Sequence, residues 1–321
     1  MIAVIGQALI DLIVDEAGGV VARPGGGPFN TARTLGRLGV ETTFLGRLSG
    51  DGFGRMLRAR LAADGVALGV PAPAGLPSTL AVADLEPGGT VSYGFYLAGS
   101  AGAALDYPVL AAALPARVTA VYAGDLSLVM EPIASAVERL VAFDLPPDAL
   151  VMVDPNCRPA AIGQRDAYLD RLERILDRAD VVKVSVEDLA YLCPGVPAEV
   201  AATTLLGDRP ALVLVTDGPR PARAFLSRGF GGAGGEMSVA VPAVEVADTI
   251  GAGDAFGGGF LAWWSAAGLG RKELCSAEPV RAALRAAAQV AALTCTRVGA
   301  EPPLLSELAG APGWSADVVG G

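Results

Sequence analysis

The stretch Asp248-Thr249-Ile250-Gly251-Ala252-Gly253-Asp254-Ala255-Phe256 carries the most informative spacing in this chain of 321 residues. Two glycines around one small residue let consecutive backbone amides face the same way. A helix that starts there adds its unpaired N–H groups and the positive end of its dipole, which makes a site of phosphate size for an anion. Asp254 stands at the opening of that helix. A carboxylate beside an anion site repels the anion, unless it takes a proton from the group that attacks it. The combination points to phosphoryl transfer, with Asp254 as general base and the amides of Gly251, Ala252 and Gly253 holding the developing charge. The same spacing equally fits an ordinary helix N-terminus, with a dipole-favourable Asp and glycines used for packing. It is not a GxGxxG fingerprint, because Phe256 stands at the third position.

What the chain lacks narrows the chemistry. It has no His, and only Lys183 and Lys272 among its basic residues are Lys. A Ser-His-Asp triad, a Cys-His pair and an HExxH zinc site are therefore excluded. Neither Lys follows a glycine loop or precedes Ser or Thr, which excludes a P-loop. Catalysis is left to carboxylates, Arg, backbone amides or a bound metal. The formal net charge is −10 with no basic run, so no nucleic-acid partner is expected. Cys157, Cys193, Cys275 and Cys295 form no CxxC and are expected to be small apolar residues in a reducing cytoplasm. The N-terminal apolar stretch has no basic flank and is interrupted by Asp11, so a strand is expected there, not a signal peptide. Longer uncharged stretches such as Gly65–Ala83 are broken by Pro and Gly, and no membrane association is expected.

The length and the 52% hydrophobic content suit one large domain with a small annex. Strands are expected at Met1–Gly6, Thr42–Leu45, Val118–Tyr122, Leu150–Val153, Val181–Val184 and Ala211–Thr216. Helical periodicity appears at Phe29–Leu38, Phe53–Leu61, Ile133–Val141, Leu169–Leu176, after Ser185, at Asp254–Ala267 and at Pro279–Leu293. Strands alternating with helices imply a parallel sheet covered on both faces. Two hairpin signals fall outside that pattern: Leu12–Val14 with Val20–Ala22 about Gly18-Gly19, and Thr79–Leu85 with Val91–Tyr96 about Glu86-Pro87-Gly88-Gly89. They predict a small separate sheet, placed as a lid over the carboxyl ends of the main strands, where ligands of such sheets bind. The division expected is 1–10, 25–77 and 102–321 for the body, with 11–24 and 78–101 for the lid.

A second constellation is Pro24-Gly25-Gly26-Gly27-Pro28-Phe29-Asn30. Glycines before a helix allow close backbone approach to a ligand, and Asn30 offers a donor and an acceptor to hydroxyls. An ordinary glycine turn fits the same residues. Taken with Ala32, Leu35, Leu38-Gly39, Gly46 and Gly50-Asp51-x-Phe53-Gly54, this segment resembles the first signature of the ribokinase-like (PfkB) carbohydrate kinases. Asp248-Thr249-x-Gly251-Ala252-Gly253-Asp254-x-Phe256 resembles the second, in the family's order and at its spacing. Asp154-Pro155-Asn156-x-Arg158, Lys183-Val184-Ser185, Thr216-x-Gly218 and Arg297-x-Gly299-Ala300 extend the similarity over nearly the whole chain.

The resemblance implies an α/β chain with a Rossmann-like, three-layer αβα ribokinase-type fold and a small β-sheet lid. It implies ATP-dependent phosphorylation of a sugar hydroxyl with Mg²⁺, in which Asp254 activates the hydroxyl. Asp11, Gly25, Gly26, Asn30, Tyr96 and Arg158 would bind the sugar. Lys183, Ser185, Thr216, Gly218, Thr249, Gly251, Gly253 and Ala288 would lie on the nucleotide side. Asp188 would serve magnesium, although Ser185-x-x-Asp188 is also the pattern of a helix capping box. Asp248, Ile250 and Gly299 would sit beside a monovalent cation such as K⁺. Two copies would pair through the lid. Pro24-Gly25-Gly26-x-Pro28-x-Asn30 resembles the fructokinases more than the ribokinases. Leu97 stands where an Arg often follows the aromatic pair, and an acid sugar would want that Arg. Fructose is therefore the expected substrate, with 2-keto-3-deoxygluconate, ribose or a nucleoside as alternatives within the family. A sugar- or nucleotide-binding protein without turnover is the reading from another class.

Overall fold

The structure is a computed structural model that describes residues 1–15, 17–72, 75–85, 91–206, 210–227, 234–311 and 313–314. In chain order its first elements are β1 (Ile2–Ile5), β2 (Leu9–Val14), β3 (Val20–Gly25), α1 (Gly27–Arg37), β4 (Thr42–Leu45), α2 (Gly52–Ala63), β5 (Ala67–Leu68), β6 (Leu80–Leu85) and β7 (Val91–Tyr96). There follow α3 (Tyr107–Ala113), β8 (Ala120–Gly124), α4 (Ile133–Arg139), β9 (Leu150–Asp154), α5 (Arg165–Leu176), β10 (Val181–Ser185), α6 (Val186–Leu192) and α7 (Ala198–Leu206). The last are β11 (Leu212–Thr216), β12 (Ala222–Leu226), β13 (Gly235–Val239), α8 (Ala252–Ala266) and α9 (Ala277–Cys295).

Nine strands form the main sheet in the order β13-β12-β11-β10-β9-β8-β1-β4-β5. Its central strands are buried apolar runs, as a parallel sheet covered on both faces requires. Alternate residues of β1 divide between two cores. Ile2 and Val4 join Phe29, Leu57, Phe260 and Val290 of α1, α2, α8 and α9. Ala3 and Ile5 join Leu110, Ile133, Leu172 and Ala201 of α3, α4, α5 and α7 on the other face. The three layers follow from that alternation. Gly258 lets α8 lie close on α1, since a Cβ there would come within 2.7 Å of Thr34 Cβ. Among the described residues no helix is long and apolar enough to cross a membrane.

The sheet departs from an all-parallel one at one end. β12 and β13 pair antiparallel beyond β11, and α7 follows α6; none of these three was expected from the sequence. The second sheet has the order β3-β2-β6-β7, built from two antiparallel hairpins joined by the parallel pair β2–β6. Its first hairpin runs from Leu9 to Gly25, two residues earlier and one later than the expected 11–24. The turn Glu86-Pro87-Gly88-Gly89 lies outside the described residues.

Candidate active site

The site begins where β8 and β9 end. Asp125 (φ 59°) and Asn156 (φ 41°), just past those strands, are the two non-glycine residues in the left-handed region among the described residues. Such backbone costs on the order of 1–3 kcal/mol and persists where surrounding structure holds it. Here it aims both side chains at Gly27. Asp125 Oδ2 accepts from Gly27 N at 2.9 Å and from Gln7 Nε2 at 2.8 Å. A Cβ on Gly27 would stand 3.0 Å from Asp125 Oδ2, 3.1 Å from Asn156 Nδ2 and 3.2 Å from Asp254 Oδ1. The missing side chain is what lets the three polar groups converge.

Asp254 lies in the first turn of α8 and is buried. Its Oδ2 accepts from Asn30 Nδ2 at 2.8 Å, joining the two sequence signatures across 224 residues. Burial raises the carboxyl above the usual carboxylate range, opposed by the Asn30 amide and the Lys183 charge. Asn30 Oδ1 is buried with no hydrogen-bond partner among the described residues. Gly251 caps the helix in the left-handed region (φ 77°) and brings no side chain to the first-turn amides. The N–H groups of Gly253 and Asp254 have no carbonyl four residues back in the helix and stay available to an anion. Ala252 corrects the expectation of a third such donor. Its N–H closes the preceding turn onto Thr249 O at 3.2 Å.

A cavity of about 510 Å³ opens above these groups, between the second sheet and the ends of β8 and β9. Asp11, Gly26, Asn30 and Arg158 line it from the expected sugar side, and Thr249, Gly251, Gly253 and Asp254 form its other wall. Asp11 is pushed up to about 6 by burial and by the neighbouring Asp125, with Arg158 acting against them. Burial would lower Arg158, but Asp125 and the other carboxylates outweigh it and hold the guanidinium charged. Arg158 Nε lies 4.0 Å from Asp125 Oδ1.

Two expected sugar contacts are corrected. Tyr96 is 65% exposed, and Phe95 lines the cavity instead, because consecutive strand residues face opposite ways. Gly25 does not line the cavity. A Cβ there would collide with Asp11 Oδ2, so Gly25 makes room for the carboxylate diagonally across the hairpin.

On the far side of the Gly251–Gly253 turn, Lys183 Nζ pairs with Asp154 Oδ2 at 2.9 Å, both buried. Burial pushes Asp154 up to about 7, with Lys183 lowering it. A Cβ on Gly253 would come within 2.9 Å of Lys183 Nζ, so the ammonium lies directly behind that turn. Thr216 ends β11, and Gly218 (φ 52°) has open space around it. Ser185 and Asp188 form the capping box of α6: Asp188 N donates to Ser185 Oγ at 3.0 Å, and Ser185 N to Asp188 Oδ2 at 2.8 Å. Asp188 Oδ1 accepts from Cys157 N at 2.7 Å. Both oxygens of Asp188 thus hold backbone amides, which is the capping-box alternative to the magnesium role expected of it. Ala288 is likewise corrected. It is buried in the core of α9, with 1% of its surface exposed.

Asp248 Oδ1 accepts from Ile250 N at 3.0 Å and its Oδ2 from Gly299 N at 2.8 Å. The loop holding Gly299 is fixed from α1, one turn beyond Asn30. There the buried Arg33 donates to Asp64 Oδ2 at 2.6 Å, Ala300 O at 2.8 Å and Glu301 Oε2 at 2.9 Å. Ala300 in turn presses on Gly251, leaving no room for a Cβ there. Gln7, Gly27, Asp125, Phe95 and Arg33 are the participants sequence reasoning missed. Gln7 and Asp125 could have been found, since each lies within two residues of the carboxyl end of a strand of the main sheet.

Residues 1–307 match the model of the pfkB family carbohydrate kinases. The chain is 34% identical over 315 residues to Fructokinase-1 of Oryza sativa subsp. japonica, covering 94% of each. A crystal structure of fructokinase with bound ATP from Xylella fastidiosa superposes with a TM-score of 0.82 at 29% identity, covering 96% of both chains. A double mutant of fructokinase from Vibrio cholerae O395, in a form with fructose, ADP and potassium bound, does so with a TM-score of 0.77 at 26% identity over 93% of both. Signatures 220 residues apart in sequence that meet in one hydrogen bond, and a match along nearly the whole chain, have one common source: the chain belongs to the pfkB family of carbohydrate kinases.

Proposed function

We propose that this sugar kinase transfers the γ-phosphoryl group of ATP to a hydroxyl of fructose, with Asp254 as the general base. The observation that carries this reading is the buried Asp254 carboxylate, held by Asn30, on the floor of a sugar-sized cavity and beside the free amide of Gly253. A hydroxyl seated there gives its proton to Asp254 as its oxygen attacks phosphorus. The charge on the transferring group falls on the first-turn amides of α8, with the Lys183 ammonium behind them. Asn30 Oδ1 and Asp125 Oδ1, buried and without hydrogen bonds among the described residues, suit the donors that a polyol brings. The relatives named fructokinase support the choice of sugar, and the carboxylates of Asp11 and Asp125 disfavour an acid sugar.

Magnesium enters as part of the MgATP substrate. Among the described residues no group of three or more His, Cys, Asp or Glu gathers to hold it, so phosphate oxygens and water are its main ligands. The second sheet acts as the lid, with Phe95 shielding the reacting groups from water. Its exposed Val20, Val21 and Tyr96 support pairing of two copies through the lid. The four free cysteines suit the cytoplasm. The test is ADP release over a panel of neutral hexoses, 2-keto-3-deoxygluconate, ribose and nucleosides. Fructose should give the highest kcat/KM, and no turnover with any neutral hexose refutes the assignment.

A further inference from the structure

The fructokinase structure with potassium, and the family pattern at Asp248, Ile250 and Gly299, imply a monovalent cation beside the phosphate-holding turn. In this chain a guanidinium already stands at that place. Both carboxylate oxygens of Asp248 already accept backbone amides, from Ile250 and Gly299. The carbonyl of Gly299 accepts from Glu301 N at 2.8 Å. A positive charge is also already present. Arg23 Nη1 lies 3.6 Å from Asp248 Oδ2, and it would be 3.8 Å from a Cβ on Gly299. Arg23 belongs to β3 of the lid, directly opposite Asp11 in the hairpin register, so it leaves the sheet on the face that carries the sugar contact. Arg297, a cation on the Gly299 loop itself, is turned to Glu307 and to the carbonyl of Pro302.

We propose that Arg23 supplies from the lid the positive charge that a bound monovalent cation would bring to Asp248, and that phosphoryl transfer by this enzyme is independent of potassium. A guanidinium is permanently charged and weakly hydrated, so it can stand against a carboxylate that is already hydrogen-bonded. The consequence is a mechanical link. The charge steadying the Asp248–Gly253 turn arrives with the lid, so lid and anion site are ordered together. The inference rests on the kinase reading for its rate measurements and on the structure alone for its binding measurement.

The test measures initial rates with MgATP and the best sugar, potassium replacing choline at constant ionic strength, for the wild type and for Arg23→Met and Arg23→Lys. The wild type should stay within about twofold across the exchange. Arg23→Met should lose roughly tenfold or more in choline and recover in potassium, while Arg23→Lys should remain insensitive. Thermal melting gives a second readout, because a cation that binds only the folded state raises Tm. Potassium should raise the Tm of Arg23→Met and leave that of the wild type unchanged. Activation of the wild type by roughly tenfold or more, or a potassium-dependent rise in its Tm, overturns the proposal. So does an Arg23→Met enzyme as active in choline as the wild type. If no sugar is turned over at all, the kinase reading fails, while the melting comparison still decides the role of Arg23.

Discussion

Asp11 sets the sugar contact proposed for it against stability. Its carboxyl is raised from 3.8 to about 6 in the folded chain, so the folded state holds its proton more tightly than the unfolded state. Between those values the folded chain binds more protons, and stability falls as pH rises through that window. Above it the ionised carboxylate costs at most about 3 kcal/mol. Asp11→Asn should therefore raise Tm at neutral pH, leave it unchanged near pH 3, and weaken sugar binding. Melting curves at the two pH values and the KM for fructose check all three. The raised Asp254 has a kinetic counterpart: the acid limb of kcat/KM should lie above the range of an ordinary aspartate, since the base must be ionised to act. At this scale the sequence was legible at Gly251, whose left-handed backbone favours glycine, and in the pairing of the two signatures, since Asn30 and Asp254 meet in one hydrogen bond. It was not legible where two residues compete for one face. Phe95 and Tyr96 are both aromatic, and only the register of β7 assigns Phe95 to the cavity. Ala288 sits in a helix so rich in Ala that the pattern names no outward face.

At the scale of elements, α1 and α8 matter most, because Asn30 and Asp254 meet only if the two helices approach closely. Gly258 sets that approach. Gly258→Ala would force its Cβ against Thr34 and should destabilise the fold by about 1–3 kcal/mol, read as a lower midpoint of denaturant unfolding. Arg33 ties the same helix to the loop behind Gly251. Arg33→Met leaves Asp64 buried without one of its cations, the other being Arg37, and should cost about 3–5 kcal/mol. In the fraction that remains folded, kcat should fall more than the KM for sugar. Buried strands such as β9 and β11 were legible as apolar runs. β12 and β13 were not, because polar residues such as Arg223, Glu236 and Ser238 break their apolar runs and they continue the sheet antiparallel at its end, where no alternation with helices marks them.

At the scale of the whole molecule, the second sheet and the residues just past β8 and β9 of the main sheet both line the cavity, so a ligand bound there would touch both. Fructose at about a hundred times its Kd should stabilise the folded chain by about 2.7 kcal/mol, visible as a rise in Tm. The division into two sheets was legible because hairpins with turn residues broke the strand–helix alternation. The outer ends of the first hairpin lie three residues beyond the expected Leu12 and Ala22, because Leu9 and Gly25 pair in the hairpin while also reaching toward the body. The proposed mechanism turns on Asp254 taking the proton of a sugar hydroxyl as phosphate is transferred to it. The most direct measurement is fructose-dependent ADP release by the wild type and by Asp254→Asn, with melting temperatures measured alongside. Asp254→Asn should keep a folded chain and bind fructose, yet lose about 10²–10⁴-fold in kcat. An Asp254→Asn enzyme that phosphorylates fructose at the wild-type rate would contradict it.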